Sequence, residues 1–111
     1  MKRVIQKIAI QRGADKLTIL VQGNGPLTYR LRPVSPLRLI LDLPHVFSGI
    51  RFKVFPVDDQ LLKQIRIGQH PKKLRLVFDL NHRLDQGLRY AIKAGRYQLT
   101  VLLSLATPPH P

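Results

Sequence analysis

The chain has 111 residues, no cysteine and a formal net charge of +13, with 19 Lys and Arg against 6 acidic residues, all of them aspartate. A chain of this size makes one domain that takes roughly two-thirds of its unfolded surface out of water, and without cysteine it has neither a disulfide framework nor a thiolate metal site. The positive excess attracts polyanions, of which three classes qualify: nucleic acid, an anionic lipid surface, or an acidic cell-wall polymer.

Glutamate, a good helix former, is absent, which favours strands over surface helices. Apolar runs are short; "VLLSLA" near the end is far below the ~20 residues a spanning helix needs. The basic start "MKRVIQKIAI" is interrupted by Lys7 and does not read as a secretory signal.

Period-two alternation, the mark of strands, begins at once. "VIQKIAIQ" places Val4, Ile8 and Ile10 on one side, and "KLTILVQ" groups Leu17, Ile19 and Val21. "GNG" at 23–25 with Pro26 is a turn signal. "LTYRLR" follows, with Leu27, Tyr29 and Leu31 opposite Thr28, Arg30 and Arg32, so a hairpin is expected here. "LRLILDLPH" (37–45) sets Leu37, Leu39, Leu41 and Leu43 against Arg38, Ile40 and Asp42. "PHVFSG" reads as a loop, "IRFKVF" alternates again, and Pro56 with Asp58 and Asp59 marks a turn. "LLKQIRIGQ" is a further strand, and "HPKK" turns the chain into "LRLVFDLNH" (74–82). There Leu74, Leu76, Phe78 and Leu80 oppose Arg75, Val77 and Asp79. "LRYAIK" and "YQLTVLLSL" form a closing hairpin. The domain is expected over 1–105, with "ATPPHP" (106–111) as the start of a Pro-rich linker.

Two of these segments are one phrase written twice, and "SGIRFKV" after the first copy is echoed by "QGLRYAI" after the second. The period is about 37 residues, and two copies are too few for a solenoid, which needs about three. The expectation is all-β: a pseudo-symmetric sandwich of two small sheets, with about eight or nine short strands. The leucine face of each copy is core. On the opposite face, Arg and Asp four residues apart lie roughly 13 Å from each other along a strand, at about 3.3 Å per residue, and cannot pair within one copy. If the two copies run antiparallel and adjacent, Arg38 faces Asp79 and Asp42 faces Arg75. Two roles fit these charges: fixing register, with Asp42 and Asp79 structural, or presenting a charged ligand-binding face.

Other chemistry is thin. His45, His70, His82 and His110 have no ligand spacing on one element, so no metal and no cofactor is expected. No nucleophile–base order can be defended, which points away from an enzyme. Tyr29, Tyr90 and Tyr97 fall on apolar faces and are expected in the core. Phe55 shares the face of Arg51 and Lys53, but one ring makes a poor platform for stacking single-stranded nucleic acid.

"LRLILDLPH", "QIRIGQHPKKLRLVFDL", "YAI" and "YQLTVLL" together resemble the AMIN domain, over about residues 4–105. The most specific segments are Ile65 to Gln69 and Leu74 to Leu80, and His45 stands where the family commonly has Gly. The resemblance implies two small pseudo-symmetric β-sheets. It also implies a non-catalytic periplasmic module that binds peptidoglycan, often at the division septum, beside an N-acetylmuramoyl-L-alanine amidase domain or within a type IV pilus secretin. Zinc-dependent amidase chemistry would belong to another domain. From charge and face, the candidate ligand contacts are Arg38, Arg75, Arg66 and Gln69, supported by Arg51 and Lys53, since arginine forks suit the carboxylates of wall peptides. The alternatives are a basic nucleic-acid-binding β-domain and a protein–protein module that meets divisome or pilus-assembly components through a sheet edge.

Overall fold

A computed structural model describes residues 2–105 and shows ten strands in two five-stranded sheets. The first sheet contains β1 (Arg3–Gly13), β2 (Lys16–Gly23), β5 (Val46–Ser48), β9 (Leu88–Ala94) and β10 (Gln98–Leu105), in the order β5-β1-β2-β10-β9. The second contains β3 (Arg30–Ser35), β4 (Arg38–Pro44), β6 (Val54–Pro56), β7 (Leu62–Gln69) and β8 (Lys73–Leu80), in the order β3-β4-β8-β7-β6. A 3-10 turn spans Leu84–Gln86. Every pairing is antiparallel except β1 with β5.

The all-β sandwich expected from alternation is the fold. Its inner faces meet in one core, to which the first sheet gives Leu17, Ile19, Val21, Leu99, Val101 and Leu103. The second gives Leu39, Leu41, Leu43, Leu74, Leu76 and Phe78. Each such side chain contributes about 1.5–3 kcal/mol on burial. The strands outnumber the expected eight or nine because "PHVFSG", read as a loop, contains the short edge strand β5.

The duplicated phrase forms β4 and β8, which lie side by side at the centre of the second sheet. Outward from that pair come β3 and β7, each the strand before its copy in the chain. The first sheet repeats the scheme around β2 and β10, flanked by β1 and β9. The pseudo-twofold therefore passes through the middle of each sheet. The two glycines of the echoed segments serve different needs. Gly87 has φ 99°, in the left-handed region. Gly49 donates its N–H to Ile5 O at 2.8 Å, and a Cβ there would lie 2.8 Å from that same oxygen.

Five local expectations are corrected. Leu37 does not join the core face of its copy: it lies before β4 and is exposed. Residues 16–35 do not form a hairpin: β2 pairs with β1 and β10, and the chain crosses after Gly23 to the other sheet. In β1 the buried pair is Ile5 and Ile8 rather than Val4 and Ile8, because a register shift between Ile5 and Lys7 breaks the alternation. "IRFKVF" is strand only from Val54, after a loop that closes onto β1. The tyrosines are not core: Tyr29 precedes β3, Tyr97 sits in the β9–β10 turn, and Tyr90 faces inward from the edge strand β9, where the opposing sheet does not cover it. The Pro-rich segment 106–111 lies outside the described residues.

Candidate functional site

Leucines on alternate positions of β4 and β8 face the core, so the intervening residues line the outer face of the second sheet. Register sorts that face into three cross-strand rows. One runs Arg30–Asp42–Arg75–Gly68, the next Arg32–Ile40–Val77–Arg66, and the third Ser35–Arg38–Asp79–Gln64. The duplication thus sets each aspartate of one copy opposite the arginine of the other, as the adjacent antiparallel arrangement requires.

Arg75 grips Asp42 with both edges of its fork, Nε at 2.8 Å and Nη2 at 3.1 Å, and Lys73 Nζ lies 3.5 Å from the same carboxylate. Arg66 holds Asp79 in the same way at 2.7 and 2.9 Å. Gln64 donates to Asp79 at 2.9 Å, and Arg38 Nε stands 3.4 Å away. The Arg75 hydrogen bond lowers the Asp42 carboxyl below its ordinary value against the opposing push of burial, and the charges of Arg75 and Lys73 add to it. At Asp79 burial is the largest single influence and acts upward. Hydrogen bonds from Arg66 and Gln64, with the charges of Arg66 and Arg38, outweigh it and leave the carboxyl lowered. Both clamping arginines are raised by their aspartate hydrogen bonds and stay charged.

The face carries a cationic surplus. Six cations (Arg30, Arg32, Arg38, Arg66, Lys73, Arg75) share two carboxylates. Among the described residues Arg30 and Arg32 form no ion pair. Arg66 and Arg75 spend Nε and Nη2 on aspartate, and their Nη1 groups have no protein acceptor among the described residues. The Arg38 side chain is 51 % exposed and that of Arg75 26 %.

Of the sequence candidates, Arg38, Arg66 and Arg75 come together here. Gln69 does not join them as a free amide. Its Oε1 accepts from Ser48 N at 2.9 Å, and its Nε2 donates to the carbonyls of Val46 (3.2 Å) and His70 (3.0 Å), stapling β5 to the end of β7. Arg51 lies in the 49–53 loop against Gln6 and Lys7 of β1, away from the three rows. Lys53 is exposed in the same loop, its carbonyl accepting from Ile67 N. Sequence reasoning missed Arg30, Arg32, Gln64 and Lys73. The alternation of "LTYRLR" carried the signal for the first two, but the expected hairpin placed them in the wrong sheet.

A cavity of about 810 Å³ lies off this face, between the chain start and the β4–β5 corner. Lys2 and Arg3 line it, with Lys2 Nζ 5.0 Å from the centre of the Phe47 ring and Arg3 donating to the Pro26 carbonyl. His45, on its wall, has φ 59°. No three His or Asp side chains converge as metal ligands among the described residues.

Residues 5–103 match the AMIN domain family, and the chain belongs to that family. AMIN domains are non-catalytic targeting domains that occur in periplasmic envelope proteins. No curated protein matches the chain.

Proposed function

We propose that this domain is a peptidoglycan-binding module that holds its parent envelope protein, an amidase or a pilus secretin, at the cell wall or septum from the periplasmic side. The observation that carries the reading is the cationic surplus on the outer face of β3-β4-β8-β7, in a chain of the AMIN family. Wall peptides end in carboxylates, and arginine forks bind carboxylates bidentately. Asp42 and Asp79 serve both roles foreseen for the repeated charges. They fix the register of the two copies, and they hold Arg75 and Arg66 by Nε and Nη2, which leaves Nη1 for a ligand. Arg30 and Arg32 supply the uncommitted charge, and Arg38, a half-exposed outer partner of Asp79 at 3.4 Å, adds to it.

The test is co-sedimentation with purified sacculi. Arg30→Ala, Arg32→Ala and Arg38→Ala together leave both aspartate clamps intact, so the variant keeps its fold, and it is expected in the supernatant. A folded triple variant that pellets like the parent removes this face from the site. Binding to duplex or single strands with a steep log–log salt slope, in place of binding to sacculi, would favour the nucleic-acid alternative.

A further inference from the structure

The outer face of the first sheet has a different chemistry. Along β2 and β10 its side chains are the uncharged Thr18, Leu20, Gln22, Gln98, Thr100, Leu102 and Ser104, with Lys16 opposite Ser104 at the end far from the β9–β10 turn. At the end of this face, beside the β9–β10 turn, lies a shallow depression of about 420 Å³. Gln6, Gln22 and Gln98 bring three side-chain amides to it, and Tyr97 and Arg96 close one side.

The amides are ordered. Gln22 Nε2 donates to Gln98 Oε1 at 3.0 Å, and Gln98 Nε2 donates to Thr100 Oγ1 at 3.4 Å. Each primary amide has two N–H donors and two acceptor lone pairs. This relay therefore leaves Gln22 Oε1, one N–H of each amide and a second lone pair on Gln98 Oε1 for a ligand. Arg96 stands 5.3 Å from the centre of the Tyr97 ring, and Tyr97 remains 44 % exposed. The cation fixes the ring without covering the residue.

An exposed ring beside fixed amides, with no carboxylate lining the depression, matches a ligand that has an apolar C–H face, hydroxyls and an amide of its own. We propose that this depression is a saccharide subsite for an N-acetylated hexopyranose, with Tyr97 stacking on the sugar ring and Gln22 and Gln98 engaging its acetamido group and hydroxyls. The assignment rests on the wall-binding reading and extends it. The second sheet would take the carboxylates of the peptides, and the first sheet the glycan.

The experiment is a ¹⁵N-HSQC titration of the intact domain with chitotetraose, with maltotetraose as the non-acetylated control. Saturable shifts are expected at Tyr97 and at the backbone and side-chain amides of Gln22 and Gln98, with chitotetraose only. Tyr97→Ala and Gln98→Ala should each weaken the interaction about tenfold while the domain stays folded, Tyr97→Ala at unchanged Tm and Gln98→Ala at a Tm a few degrees lower, and the Arg30, Arg32, Arg38 triple variant should titrate like the parent. Sacculus binding with no chitotetraose shifts at these residues overturns the subsite and leaves wall binding standing. Chitotetraose shifts here in a domain that ignores sacculi sustain the subsite and sink the wall reading.

Discussion

Replacing Arg75 by methionine keeps most of the aliphatic stem and removes the fork that holds Asp42. The Asp42 side chain is only 10 % exposed and loses hydrogen bonds of 2.8 and 3.1 Å, retaining Lys73 at 3.5 Å. Stripping a partner from a fully buried pair costs about 3–5 kcal/mol. Arg75 is partly solvated and Lys73 remains, so about 2 kcal/mol is expected here, near the value for hydrogen bonds to charged groups. In a domain of about 100 residues that lowers Tm by about 10 °C. The pH dependence follows from the direction of the Asp42 shift. Its folded pKa lies below the ordinary aspartate value of about 3.9. The stability it contributes is complete above that value and lost as pH falls through the folded one. In Arg75→Met, burial of Asp42 is opposed by Lys73 alone, so its carboxyl moves upward. The gap between parent and variant should therefore be widest near neutrality and narrow below about pH 4. Thermal melts from pH 7 to pH 3 measure it, and adding Asp42→Asn to the variant should recover part of the loss. A Tm change under about 3 °C, or a gap that stays constant with pH, would refute the argument that Arg75 compensates a covered carboxylate.

His45 adopts φ 59°, a conformation costing a non-glycine residue about 1–2 kcal/mol. His45→Gly relieves that strain against an unfolded-state penalty of about 0.4–1 kcal/mol. The urea midpoint should rise, by about 0.5–1 kcal/mol in stability, and an unchanged or lower midpoint counts against this account of the loop. Gln69→Ala removes the staple between β5 and the end of β7. Hydrogen exchange should quicken at Ser48 and its β5 neighbours while the β4–β8 amides stay protected, with a global loss of about 1 kcal/mol. Uniform loss of protection throughout the second sheet would show that the staple is not local.

Residue order alone determined the fold class, and it gave the register of the central pair on the condition that the two copies are antiparallel neighbours, which the structure supplies. Alternating leucines leave each copy of the repeat one face to bury. Arg and Asp spaced four apart in both copies pair only across an antiparallel neighbour, and Arg38 opposite Asp79 with Asp42 opposite Arg75 is the register found. Period-two alternation identifies a face but not a sheet. The turn at 23–25 looks the same whether the next strand pairs with β2 or crosses to the opposite layer, and only packing of the two leucine faces selects the crossing. For that reason Arg30 and Arg32 were visible as a polar side yet not as neighbours of Asp42 and Ile40.

The commitments of individual side chains depended on tertiary structure for the same reason. Gln69 looked free beside Arg66, but β5 returns to β1 and brings Val46 and Ser48 within reach of its amide. Tyr90 alternates inward between Leu88, which is core, and Ile92, yet on the edge strand β9 it stays 39 % exposed. Gln22 and Gln98 lie 76 positions apart and meet only because β2 and β10 are adjacent. A chain's alternation is a local property of successive residues. Which layer covers a face, and which distant segment reaches a side chain, is decided by the whole sandwich closing at once.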